Sequence, residues 1–519
     1  MAAGTGGFAA ELLDRTWDDV VVGGGSAGSV LAARLSQEPG RRVLLVEAGT
    51  DPAPQSGPPG SPVLTGANWD HTASVGDTEP GAGRQYPYLV GKVLGGSSAV
   101  NGAIALRGLP ADFDGWAAAG CAGWSWADVL PYFRGLEADA DYGDSALHGG
   151  HGPLPVRRPA PERLSKAAAA FLAGCRAAGI PDRPDLNDGG TGAGPIPGNL
   201  AGRHRVSAAD AYLEPARERP NLAVADRAEV TRVLVTGGRV TGVELLRDGR
   251  VHQVRAGQVT LCAGAIGSPL VLQRSGIGAA ARSAALGLPV TADLPGVGGN
   301  LIDHPMVPVW SAAAPGVCAD DDPWHEAMAR IATTGDLPDV NLLLVANVRG
   351  AAIPGIGAVL GSDAGISVGA LLLAPRSRGT VELTDADPKA APAIRLRLAT
   401  DEDDLRRLMN GVRAAWRVVR SAPFAPMAAR TFLWTERMVE DDTLLRRAVA
   451  NFVTPTWHAA GTARMGPAGD DGAVVDERLR VYGVTGLRVA DASVMPSIVR
   501  APTNLTCIML AERAAGWMR

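Results

Sequence analysis

The chain has 519 residues, of which 46% are hydrophobic and 20% charged, and a formal net charge of −5. That length suffices for two joined domains around a large buried core. The charge leaves no basic footprint for nucleic acid or for an anionic membrane surface. Five scattered cysteines with no Cys-x-x-Cys pair suggest neither a disulfide framework nor a zinc site, so no metal is expected. The first residues lack the pattern of a secretory signal and no apolar run reaches bilayer length. The expectation is a soluble cytoplasmic protein with no membrane span. Lysine is confined to Lys92, Lys166 and Lys389, which reads as genomic base-composition bias.

In chain order, the first strong signal is Asp18-Asp19-Val20-Val21-Val22, a β-branched run ending in Gly23-Gly24-Gly25-Ser26-Ala27-Gly28. An Ala/Leu-rich helix is predicted to Leu35, then a second strand over Arg42–Val46 that ends on Glu47. This β–turn–α–β unit builds a doubly wound, Rossmann-like parallel sheet. Within it, Gly23-x-Gly25-x-x-Gly28 has the context of a dinucleotide fingerprint. Gly23 permits the tight turn, Gly25 admits a pyrophosphate to the backbone, and Gly28 lets helix and strand pack closely. The phosphates would meet free N–H groups and the positive end of the helix dipole. Glu47, nineteen residues after Gly28, is placed to accept hydrogen bonds from ribose hydroxyls. The alternative is a glycine turn in an ordinary βαβ unit, and the motif alone does not separate FAD from NAD.

Gly- and Pro-rich segments at 52–60, 181–198 and 350–357 read as surface loops. Between 311 and 452, apolar runs at Leu342–Val345 and Leu371–Leu373 mix with a helical pattern over Asp404–Val419, which predicts sheet plus helices. Nucleotide-type signals return only in Leu487-Arg488-Val489-Ala490-Asp491. The cofactor domain is therefore expected to be discontinuous, residues 17–310 and 453–519, with a substrate domain of mixed sheet and helices, 311–452, inserted into it.

Two long segments carry a family resemblance. Gly91-Lys92-Val93-Leu94-Gly95-Gly96-Ser97-Ser98-Ala99-Val100-Asn101-Gly102 is a glycine loop with an apolar side, and Gly264 to Gly278 follows the strand-like run Val259–Ala263. They resemble the first and second signatures of the glucose–methanol–choline (GMC) family of FAD-dependent oxidoreductases. Pro110–Trp116, Arg219–Leu222, Leu294–His304 and His458–Gly466 resemble the same family. The resemblance is dense over 18 to about 310 and 453–519, and thin across 311–452. It implies FAD, held by the fingerprint with Ser26, Ala27 and Ala48, and by Gly95, Ser98, Asn101, Gly102 and Ala103 of the glycine loop. It also implies contacts from Trp69, Val230, Asp491, Ala492 and Thr503. Some relatives attach FAD through a His one residue before the signature Asn; here that residue is Val100, so FAD is expected to be noncovalent.

Oxidation of an alcohol needs removal of a hydroxyl proton and of a hydride, the latter onto flavin N5. His is suited to the proton because its ordinary pKa lies near neutrality. Among eight histidines, His458 in Trp457-His458-Ala459-Ala460-Gly461 matches the family's catalytic His. His304, between Asp303 and Pro305, is expected to stabilise a turn, and His148 and His151, in a Gly-rich loop, are expected to be exposed. The family's second catalytic His or Asn falls here on Pro502, which has no donor. Either Asn504 takes that role, although its register matches a family Asn beside the cofactor, or a residue of 311–452 replaces the donor. The resemblance implies oxidation of a primary or secondary alcohol to the carbonyl, with O2, a quinone or another redox carrier as electron acceptor. A lyase or decarboxylase on the same scaffold is the alternative, since fold does not dictate chemistry.

Overall fold

In the computed structural model, which describes residues 12–13, 15–51, 61–64, 66–76, 83–349 and 364–519, the fingerprint strand β1 (Thr16–Val22) sits inside a seven-stranded sheet. After the turn comes α1 (Ser26–Leu35), then β2 (Val43–Val46). β3 (Leu222–Ala225) extends the parallel array beyond β2. β4 (Glu229–Thr236), β5 (Arg239–Arg247) and β6 (Arg250–Leu261) form an antiparallel meander on the other side. The order is β3-β2-β1-β6-β5-β4, with β7 (Leu487–Val489) pairing along the end of β6. The parallel strands are covered on both faces, which is why β1 and β2 read as continuous Val/Leu runs rather than alternating ones. β6 leads into α2 (Gly264–Arg274).

The chain reverses direction of travel across the sheet at β1, whose neighbours are β2 and β6. Such a switch point leaves a crevice beyond the carboxyl ends of the strands. Here Gly23 N donates to Val46 O and Cys262 N to Val22 O, each at 2.7 Å, so the three strand ends finish level.

A second, antiparallel sheet of six strands runs in the order 428–431, 306–313, 364–372, 340–349, 327–331, 192–195. On one face lies α3 (Glu402–Arg420), whose Leu405, Leu408, Val412, Ala415 and Val419 are buried at helical spacing. α4 (Asn504–Met518) returns to pack on α1. The sheet includes two pieces from outside 311–452: strand Met306–Ala313 begins before 310, and Gly192–Pro195 pairs with Ala327–Ile331. Segment 181–198 is thus not a surface loop throughout. Its Ala193 and Ile196 are buried, and Leu186 is buried in the first core. The proposed loops at 52–60 and 350–357 lie outside the described residues. No described helix is long and apolar enough to cross a membrane.

His148 corrects a second expectation. It is buried, with Nδ1 3.0 Å from Glu137 Oε1 and from Asp139 Oδ2 and Nε2 3.0 Å from Asp185 Oδ2. Burial opposes its charge, yet the three carboxylates outweigh it and raise its pKa to about 10. With a proton on both nitrogens, it bridges acids rather than offering a lone pair to a metal. His151, as expected, is exposed.

Candidate active site

The ends of β1, β2, β6 and β7 face one cavity of about 910 Å³, within the roughly 300–1,000 Å³ usual for ligand sites. Gly23, Gly25, Ser26, Ala27, Glu47 and Ala48 line it at the first strand–helix turn. Trp69, Asn101, Gly102 and Val230 line it from the surrounding segments, and Asp491, Ala492 and Thr503 from the stretch between β7 and α4.

Gly28, Gly95, Ser98 and Ala103 stand behind the wall instead. At Gly28 a Cβ would fall 1.8 Å from Gly23 O, so this glycine serves helix–strand packing. Gly95 N donates to Gly24 O at 2.8 Å, tying the two glycine loops together. Ser98 Oγ donates to Gly95 O at 2.6 Å and accepts from Ala208 N at 3.0 Å. Ala103 N donates to Asn101 Oδ1 at 2.9 Å. Gly96 and Ser97 reach the cavity in their place. The reason is local: residues 97–100 form a helical turn, which points successive side chains about 100° apart, so Ser97 faces out as Ser98 faces in.

Glu47 is buried, its Oε2 accepting from Gly24 N and its Oε1 from Gly49 N, both at 2.7 Å. Burial raises its carboxyl pKa, against the pull of those amides. The N-cap of α1 is Gly25, with no side-chain cap, which leaves the first N–H groups of the helix to the cavity. Asp491 is held by Ser268, Ser493 and the Gly264 amide, and fastens the start of α2 to the end of β7.

His458 lines the same cavity. Trp457 before it has φ +60°, a conformation uncommon for a bulky residue. The turn is held by Trp457 Nε1 donating to Pro87 O at 3.1 Å and His458 N donating to Asp303 Oδ1 at 3.0 Å. Tyr88 donates to the other Asp303 oxygen at 2.7 Å. Burial pushes the Asp303 carboxyl up to about 6.

The ring of His458 makes its hydrogen bonds through Nδ1, to His304 Nδ1 and Thr456 Oγ1, each at 3.0 Å. Nε2 has no partner among the described residues. Burial, with a further push from His304, holds the His458 pKa well below the ordinary value. His304 is therefore not merely a turn residue. It is fully buried against the His458 ring, at 5.2 Å between centroids. Sequence reasoning missed this pairing because 154 residues separate the two rings; the local signal was the family resemblance of Leu294–His304, which does not say what His304 touches.

Pro502, Thr503 and Asn504 border the same cavity. Asn504 opens α4, and both polar atoms of its buried amide lack a partner among the described residues. Opposite, the second sheet supplies Met306, Pro308 and Trp310 from alternate positions of one strand and Leu343 and Val345 from another, as the two-residue period of a strand dictates. Trp324 and His325 complete that side. None of these residues was singled out from sequence, since strand alternation marks faces but not which face meets a cofactor.

Residues 17–306 and 375–511 match the N- and C-terminal models of the family described as GMC oxidoreductase. The chain belongs to this family of FAD-dependent oxidoreductases acting on CH–OH groups. It is 40% identical to the 5-(hydroxymethyl)furfural oxidase of Methylovorus sp. (strain MP688), over 97% of this chain and 99% of the relative. It is 35% identical to an oxygen-dependent choline dehydrogenase of Paraburkholderia xenovorans, over 97% and 94%. Among solved structures, pyridoxine 4-oxidase from Mesorbium loti superimposes with a TM-score of 0.88 at 31% identity, covering 97% of this chain and 99% of that one.

The residues present fit FAD. An uncapped helix N-terminus, a buried carboxylate at the end of β2 and glycines that bring two backbones together suit its adenosine diphosphate half. The unpartnered Asn504 amide suits the polar edge of a flavin, because a buried amide without a partner costs about 1–3 kcal/mol.

Proposed function

We propose that this chain oxidises a neutral primary or secondary alcohol carried on a flat aromatic or heteroaromatic ring. The carrying observation is the imidazole of His458, bonded among the described residues only through Nδ1, on the wall shared by the fingerprint turn and an aromatic sheet face. In this reading FAD is held noncovalently by residues within 17–310 and 453–519, while 311–452 together with the strand Met306–Ala313 shapes the substrate space. Bound FAD supplies the hydride acceptor. His458 Nε2 would take the hydroxyl proton, so that loss of the carbinol hydride to that acceptor leaves the carbonyl. Its low pKa keeps it unprotonated and ready at neutral pH.

The second sheet turns Met306, Pro308, Trp310, Leu343 and Val345 to the cavity, with Trp324 beside them, and none of these is a carboxylate. That lining suits a flat neutral ring, which can stack on the indoles. Two relatives are named as oxidases of heteroaromatic compounds, which supports both the substrate class and O2 as acceptor. Pro502 offers no donor, and we assign the Asn504 amide to the cofactor rather than the substrate. The test is anaerobic mixing of holoenzyme with furan, pyridine and benzene methanols, with choline beside them. Flavin bleaching by the ring alcohols, and hydrogen peroxide formation in air, are expected. Bleaching by choline alone would overturn the substrate class. No bleaching by any alcohol would favour the lyase alternative.

A further inference from the structure

We infer that His304 and Thr456 are positioning residues that hold the proton of His458 on Nδ1 and so keep its Nε2 a bare base. The inference rests on His458 acting as the base, and it goes beyond that role by assigning the atom and the residues that set it.

The argument follows the protons. His304 Nε2 lies 3.0 Å from the carbonyl oxygen of Val499. A carbonyl only accepts, so Nε2 of His304 carries a proton. His304 is fully buried and its pKa is held down at about 4 by that burial. A neutral imidazole has one proton, so its Nδ1 is a lone pair, and this lone pair lies 3.0 Å from His458 Nδ1. For the contact to be a hydrogen bond, His458 must donate from Nδ1.

Thr456 gives the same answer independently. Its hydroxyl reaches His304 O at 2.9 Å and Asp303 Oδ1 at 3.3 Å. Both are acceptors, so the hydroxyl proton is spent there, and Oγ1 meets His458 Nδ1, 3.0 Å away, with a lone pair. Two acceptors thus converge on Nδ1. An unconstrained neutral histidine in water favours the proton on Nε2, the wrong nitrogen for a base facing the cavity. The pair His304–Thr456 reverses that preference, much as a second group fixes the tautomer of other catalytic or metal-binding imidazoles.

The test uses holoenzyme labelled with [15N]histidine at neutral pH, with the His458 signals identified by their loss in His458→Ala. The wild type is expected to show His458 Nδ1 protonated and Nε2 bare; a proton on Nε2 overturns the inference without any further variant. In the His304→Leu/Thr456→Val double variant the His458 proton is expected to move largely to Nε2, with flavin reduction slowed about 10–100-fold, less than the ~10⁴ of a fully wrong tautomer in a serine-protease triad. Thr456→Val alone, a smaller change, should shift the tautomer part way, and Thr456→Ser should restore it. A double variant that keeps both the Nδ1 proton and the wild-type reduction rate sinks the assignment. If His458→Ala itself reduces at the wild-type rate, the base role fails, and the nitrogen spectra still decide the tautomer.

Discussion

Gly96 is packed against Gly25 so closely that a Cβ on Gly96 would come within 2.6 Å of Gly25 Cα. This contact joins the fingerprint turn to the second glycine loop, and it requires φ +53° at Gly96. Gly96→Ala therefore meets both a steric and a conformational objection, the latter alone worth on the order of 1–3 kcal/mol. The expected result is a lowered melting temperature and a preparation depleted of flavin. Full flavin content with an unchanged melting temperature would show that the two loops do not need this contact.

Flavin release tests the mode of attachment. Val100 is buried beside the cavity wall and has no group able to bond the isoalloxazine covalently. Acid precipitation should leave the yellow colour in the supernatant. Colour that stays with the pellet would contradict noncovalent binding.

His458→Ala should retain FAD, because the fingerprint and the α4 turn are untouched, but slow flavin reduction by substrate about 10²–10⁴-fold. The wild-type reduction rate should be flat from neutral pH downward past the ordinary histidine pKa. The reason is that burial depresses the His458 value, so the base is not protonated until well below 6.5. A rate that falls by half near 6.5 would mean that His458 is solvated in the working enzyme.

Asn504→Ala separates two roles. The amide has no partner among the described residues and heads α4, so its loss should appear chiefly as reduced flavin occupancy. Turnover per bound flavin, measured in the same sample, is the control. Full occupancy with turnover abolished would instead make Asn504 the donor to the substrate oxygen that Pro502 cannot be.

His148 gives a pH-dependent stability. Its folded pKa is about 10 against the ordinary histidine value of 6.5, so the folded state holds the extra proton. Its stabilisation is fully present below about 6.5 and is lost as pH rises through about 10. Removing the cation leaves Glu137, Asp139 and Asp185 facing one another with only Arg107 and Arg158, and breaking a buried pair costs about 3–5 kcal/mol. The His148→Ala penalty in a denaturant titration should be larger at pH 7 than near pH 10.5. A penalty independent of pH would show that the imidazole is neutral when folded.

The features legible in the sequence are those whose physics is local. Strand, glycine spacing, helix and terminal carboxylate of the fingerprint fall within one continuous stretch, Thr16 to Glu47, and each residue type answers a backbone need that spacing alone reveals. The helix at 402–420 was visible for the same reason, in its 3.6-residue apolar period. What depended on distant partners was not visible. The glycines of 181–198 suggested a loop, yet part of it became a strand because Ala327–Ile331 offered an unpaired edge. The Gly-rich setting of His148 suggested solvent, but three carboxylates from other segments needed a cation. His458 was legible as a residue, whereas the nitrogen that faces the cavity is decided by His304, Thr456 and the Val499 carbonyl. A hydrogen-bond chain has direction only when its members are in place, and tertiary packing alone brings these together.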